Sequence, residues 1–293
     1  MTAPAAVEYG ALLDVLRGVT WPARLHALGG TAGTHKSRLR GHTAEFTEYR
    51  PYRQGDDPRR IDWKLLARTD RAFLRITSDR ATLRTMLLLD ATASMAFPDG
   101  AGSKWAQACR LAVGLAAVAN AAGDPVGLVV AGPGPVRTVA PRTRRGVVAE
   151  IARTLEDVQP AGEAPLAPAL HALREMPRLA IVSDFLGDEA ELLRVARERI
   201  AGGTEVYAVY VVAPEELEPG GAFLAADPER PGLRRPFAPE ARERYAGAFA
   251  AWRRETARAW RGAGAVWVEV SAAEPAARAV RRIARAVAVE AHA

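Results

Sequence analysis

Leu87-Leu88-Leu89-Asp90-Ala91-Thr92-Ala93-Ser94-Met95 sets an apolar run directly against an aspartate. The run begins at Met86, hydroxyl residues follow the aspartate at alternate positions, and a long amphipathic stretch starts near Lys104. A continuous apolar run of this length reads as a strand buried on both faces, as in a parallel sheet, followed by a loop and a helix. In an open α/β sheet, ligands bind outside the carboxyl ends of the strands, where strand order reverses. Asp90, Thr92 and Ser94 stand where such a site would form, and all three offer the hard oxygens that Mg²⁺ prefers. The plainer alternative is a loop that caps the next helix through Ser or Asp oxygens. A second apolar run, 179–183, also ends in an aspartate, Asp184. If the two strands are neighbours, two carboxylates meet in one crevice, and a bound cation becomes the economical counter-ion.

The 293 residues suffice for one large α/β domain and an extension. A hydrophobic content of 49% and a charged content of 25% are ordinary for a soluble globular protein. The single cysteine, Cys109, excludes an internal disulfide and a cysteine-rich zinc site, and is expected in the core. The first residues lack the basic and apolar regions of a signal peptide. The longest helix-like apolar segment, 111–123, is too short to span a bilayer. A cytoplasmic location is therefore expected. The net charge of +6 allows an acidic partner.

Along the chain, 9–17 has helical spacing, and Trp21-Pro22 and Gly29-Gly30 then break it. Gly33-Thr34-His35-Lys36-Ser37 fails as a phosphate loop, because glycine must directly precede the lysine. From Arg84 the order is regular. Strands are expected at 86–89, 126–131, 178–182, 205–212 and 265–270. The short link Gly132-Pro133-Gly134-Pro135 makes 136–139 an antiparallel edge strand. Helices are expected at 103–122, 144–158, 166–175, 188–201, 239–262 and 274–290. Residues 213–237 interrupt the alternation with prolines and glycines, as a loop with room for a small hairpin. The last helix carries Arg278, Arg281, Arg282 and Arg285 on a solvated face.

Residues 36–80 hold twelve Lys/Arg against seven Asp/Glu, most of the net charge. Aromatic and turn residues interleave with them: Phe46, Tyr49, Tyr52, Trp63, Gly55 and Pro58. Two readings are open and not exclusive. In one, arginines fork onto carboxylates and fold an irregular segment onto the sheet domain. In the other, the same groups form a recognition surface. A strand is expected from Phe73 to Ile76.

The element order resembles the von Willebrand factor A-like (vWA-like) fold. Asp90-Ala91-Thr92-Ala93-Ser94 is similar to the D-x-S-x-S opening of that fold's metal-ion-dependent adhesion site, with threonine in the middle. Asp184 looks like the site's later aspartate. Arg50-Pro51-Tyr52, Gly55-Asp56-Asp57, Arg60-Ile61-Asp62-Trp63 and Ala67-Arg68 resemble the signature of bacterial domain-of-unknown-function family 58. Lys104 and Gly123-Asp124-Pro125-Val126-Gly127 fit it too.

The resemblance covers about residues 35–290. It implies an α/β fold with an open, mostly parallel Rossmann-type sheet, one antiparallel edge strand, helices on both faces and an N-terminal irregular or β extension. Three segments follow: an N-terminal helix and linker at 1–34, the charged signature at 35–83 packed on the sheet domain, and the vWA-like domain at 84–293. The resemblance further implies Mg²⁺ or Mn²⁺ on Asp90, Thr92, Ser94 and Asp184. It also implies partnership with a MoxR-type AAA+ ATPase or its protein client. Arg50, Tyr52, Gly55, Asp56, Asp57, Arg60, Asp62, Trp63, Arg68 and Lys104 are the signature and interaction candidates. One departure stands out. The family's G-x-T-x-L loop is here Gly162-Glu163-Ala164-Pro165-Leu166, and alanine cannot ligate. Water could fill the position, Glu163 could reach in, or the site is degraded.

The function expected is a non-catalytic interaction module. A Mg-dependent phosphohydrolase is the enzymatic alternative. The chain has no G-x-S-x-G, no H-E-x-x-H and no second aspartate at Thr92, and its five histidines are scattered. A nucleic-acid binder using 36–80 is the third reading, blunted by the seven acidic residues there.

Overall fold

A computed structural model describes residues 5–23, 32–36, 44–53, 56, 58–174, 176–187, 189–220, 224–226, 232 and 234–286. The chain forms two compact units, one from 1–22 with 84–293 and one from 23–83. In chain order the elements begin with α1 (Ala5–Val15), β1 (Ala32–Lys36), β2 (Ala44–Pro51), α2 (Trp63–Thr69) and β3 (Phe73–Ala81). The larger unit continues with β4 (Thr85–Asp90), α3 (Lys104–Ala121), β5 (Val126–Ala131), β6 (Arg137–Arg142), α4 (Val147–Glu156), α5 (Ala167–Ala172) and β7 (Arg178–Ser183). Then come α6 (Glu189–Ala201), β8 (Glu205–Val212), α7 (Pro214–Leu217), β9 (Leu224–Ala226), β10 (Arg234–Pro236), α8 (Pro239–Gly262), β11 (Val266–Ser271) and α9 (Ala276–Arg285).

The six-stranded sheet has the order β11-β8-β7-β4-β5-β6. Every pairing is parallel except β5 with β6, so β6 is the antiparallel edge strand that its short connection predicts. Side chains alternate across a strand. Leu87 and Leu89 therefore join α1, α3, α4 and α9 in one core layer, while Met86 and Leu88 join α5, α6 and α8 in the other. Each such leucine, fully buried, stabilises the fold by about 1.5–3 kcal/mol. Cys109 lies in the first of these layers. Layered helices on both faces of a mostly parallel sheet are the vWA-like architecture that the resemblance implies.

The N-terminal helix shares the core of the sheet unit, with Leu12 and Leu16 buried in it. Gly114 of α3 permits the close approach: a Cβ there would lie 2.7 Å from Val280 Cγ2 and 3.1 Å from Leu16 Cδ1. At the amino end of the sheet, buried Arg178 pairs with Glu205 at 3.2 Å and donates to the carbonyls of Trp21 and Pro22. The short helix expected at 166–175 ends at Ala172. The 213–237 segment contains α7 and the antiparallel pair β9–β10.

The smaller unit is a three-stranded antiparallel sheet of order β1-β3-β2. Its strand β3 runs nine residues, well past the expected Ile76.

Candidate functional site

From β4 the chain crosses to β5 and β6 on one side, then returns to β7 on the other. The reversal of strand order therefore lies between β4 and β7, which are parallel neighbours with Leu89 opposite Val182. Asp90 ends the first strand and Asp184 follows the second, so the fold brings the two aspartates to one crevice. Asp90, Thr92, Ser94, Asp184 and Lys104 are all buried there.

Each oxygen of Asp90 is engaged. Oδ1 accepts the Thr92 N–H at 2.9 Å, and Oδ2 accepts the Ser183 hydroxyl at 2.6 Å. Burial, together with the nearby Asp184 charge, pushes the Asp90 carboxyl up to about 6, against the pull of these hydrogen bonds. Ser183 Oγ also accepts the Phe185 N–H at 2.8 Å, which fixes the turn after β7. The Thr92 and Ser94 hydroxyls pair with each other at 3.2 Å.

Asp184 is held differently. Its Oδ2 accepts from the Lys104 ammonium at 2.8 Å, and its Oδ1 accepts the Leu186 N–H at 3.2 Å. Lys104, the first residue of α3, is only 1% exposed, and Asp184 2%. The ammonium also donates to Glu216 Oε1, and Glu216 Oε2 accepts the Ala213 N–H at 2.8 Å. A buried lysine at the positive end of a helix is opposed by desolvation and by the helix dipole. Burial alone would depress its pKa, but the Asp184 and Glu216 carboxylates raise it above the usual lysine value. The triad thus links the start of α3, the end of β7 and α7.

Beside the triad, a cavity of about 350 Å³ opens between Asp90, Thr92 and Ser183 on one side and the 163–166 loop on the other, with Phe185 and Leu192 among its walls. The loop is tied to the Asp90 turn by Ala93 N–H to Gly162 O at 2.9 Å and Ala161 N–H to Ala91 O at 3.1 Å. Ala164 lines this cavity, where the resemblance places a threonine, and Glu163 lines it from an exposed position. Phe97 and Leu186 are exposed at 40% and 44%, on the loops that follow β4 and β7.

The donor set does not fit a divalent cation. Asp184 already takes an ammonium, and Ala164 supplies no oxygen side chain, which leaves only Asp90 and the Thr92 and Ser94 hydroxyls of the expected ligands.

In the smaller unit, the signature residues build a local scaffold. Arg50 pairs with Asp56 at 2.7 Å, and Asp56 also accepts the Arg53 N–H. The Arg50 hydrogen bond, with that of Arg53, lowers the Asp56 pKa. Asp62 caps α2 through the N–H groups of Lys64 and Leu65, and its other oxygen accepts the Tyr49 hydroxyl at 2.9 Å. The backbone of Tyr52 donates to Ala72 O, Trp63 is 62% exposed, and Arg68 is exposed in the last turn of α2. The backbone of Arg60 closes a 3₁₀ turn, Pro58–Arg60. Gly55 and Asp57 lie outside the described residues.

Two residues of the crevice went unassigned in the sequence: Ser183 and Glu216. The signal for Glu216 was present. Pro214-Glu215-Glu216 directly after an apolar strand is a helix start with proline and acid in the first turn.

An uncharacterized protein of Mycobacterium tuberculosis is 33% identical over 243 residues, which cover 80% of this chain and 76% of the relative. Among solved structures, the chain is similar to the conserved hypothetical protein BatB from Bacteroides thetaiotaomicron, with a TM-score of 0.45 and 16% identity over 69% of this chain and 96% of that one. It is also similar to the SpRpn10 VWA domain, with a TM-score of 0.39 and 13% identity over 68% and 94% of the two chains. The family model described as "Protein of unknown function DUF58" matches residues 48–255. The chain belongs to that family, DUF58.

Proposed function

We propose that this chain is a non-catalytic protein-interaction module that docks its partner at the carboxyl edge of the six-stranded sheet. The observation that carries this reading is the pair of exposed apolar side chains, Phe97 and Leu186, on the two loops that leave β4 and β7 beside the cavity. Large apolar side chains on the loops that leave two adjacent strands, next to a recess of mixed polar and apolar lining, suit a protein interface. The partner is a MoxR-type AAA+ ATPase or a client that it remodels, as the family resemblance implies. The module acts as an adaptor in assembly or remodelling of protein complexes, in the cytoplasm. Among the described residues, no helix is long and apolar enough to cross a membrane.

The residues of the cavity support a binding role over chemistry. None of them is histidine, cysteine or lysine, and the second aspartate that a phosphohydrolase would need is bound to Lys104. Nucleic-acid binding through 36–80 is less favoured, because Asp56 and Asp62 work as internal ties of that segment.

The test is affinity capture with the full chain from extract of its own organism. Wild type is expected to retain an AAA+ ATPase. The double variant Phe97→Asp/Leu186→Asp is expected to lose it at least tenfold while its melting temperature stays unchanged. Capture of the same ATPase by the double variant would move the docking surface elsewhere. Failure of the wild type to capture any ATPase would refute the adaptor role.

A further inference from the structure

We infer that the cation of this crevice is the chain's own Lys104 ammonium, so that the site operates without a divalent metal. Three observations carry the inference. The ammonium sits buried against Asp184 Oδ2 at 2.8 Å, the carboxylate that a metal in this fold would need. A second carboxylate, Glu216, reaches the same ammonium from α7, and its remaining oxygen is satisfied by the Ala213 N–H. The loop position from which an oxygen ligand is expected holds Ala164. These observations agree in direction: Ala164 removes a ligand, and the two carboxylates meet a covalently attached cation in place of an exchangeable one.

The chemistry separates the two kinds of cation. A hydrated metal brings an open coordination position, which a partner's carboxylate can fill. An ammonium with its protons directed at Asp184 and Glu216 offers no such position. Its charge is spent on joining three elements of one chain. Recognition at this edge then rests on the cavity beside Asp90 and on the exposed Phe97 and Leu186 side chains. The inference does not depend on the docking reading, because it concerns the chain alone.

The test is a titration of the purified full chain with Mn²⁺, followed by calorimetry and by the electron paramagnetic resonance of free Mn²⁺. No saturable binding at Asp90 is expected up to millimolar ion, and 5 mM EDTA, Mg²⁺ or Mn²⁺ should leave the melting temperature within one degree. Binding of one ion per chain that disappears in Asp90→Asn would overturn the inference. Binding that persists in Asp90→Asn lies elsewhere and leaves Lys104 as the cation of the crevice. Lys104→Met provides the converse. It should melt well below wild type, and Lys104→Met/Asp184→Asn/Glu216→Gln, which removes the stranded charges, should regain part of the loss without metal. A Lys104→Met chain as stable as wild type would also overturn it. If Lys104→Met does not fold, the triple variant and the wild-type titration still decide.

Discussion

Asp90 and Asp184 occupy equivalent places in the sequence, each at the end of a buried apolar strand, yet the fold uses them differently. Asp184 is neutralised by an ammonium, whereas Asp90 is held by a hydroxyl and a backbone N–H and keeps a raised pKa. Ser183 is the hinge of this difference, since its hydroxyl donates to Asp90 and accepts from Phe185 N–H. Ser183→Ala should therefore cost about 1–3 kcal/mol, because a buried charged acceptor and a buried N–H both lose a partner. Urea unfolding would measure this, and an unchanged midpoint would contradict the assigned bonds. The two aspartates were legible in the sequence because an acid that abruptly ends an apolar run has one obvious place in an α/β sheet. The Lys104 pairing was not legible. Its carboxylates lie 80 and 112 residues away, and no local pattern reports so distant a contact.

At the scale of elements, the strands of the large sheet were the easiest to read, since a strand buried on both faces is apolar throughout. Boundaries shifted where propensity and packing disagree. The short helix α5 stops at Ala172, three residues before its expected end. Strand β3 runs on through Thr77, Ser78 and Asp79, polar residues that pair with β2 and give no apolar signal. Gly127 shows an element-level constraint. Added as a Cβ in β5, a methyl group would lie 2.6 Å from Val139 O and 2.8 Å from Pro141 N of β6, at the irregular register of that pair. Gly127→Ala should thus push the antiparallel edge strand outward and destabilise the chain by about 1–3 kcal/mol. The same urea experiment reads this, with amide exchange of β6 rising relative to β4. Equal exchange in both proteins would show that the edge strand yields at no cost.

For the whole molecule, the sequence reading has three segments, 1–34, 35–83 and 84–293, and the structure forms two compact units, 1–22 with 84–293 and 23–83, each with its own strand pairing. In the larger unit the Asp90, Asp184 and Lys104 side chains gather at the sheet edge where strand order reverses. The smaller unit holds a set of internal ties around Arg50, Asp56 and Asp62, with Trp63 left exposed. Which unit meets the partner follows from neither charge nor composition, because the exposed aromatic and apolar residues divide between the two. The most direct measurement is amide hydrogen exchange of the full chain, alone and with the captured ATPase, in EDTA. Protection is expected in 91–100, 160–166 and 184–187, the loops around the cavity, with little change in 44–74. Protection confined to 44–74, with the carboxyl-edge loops unchanged, would contradict the assignment of the docking site.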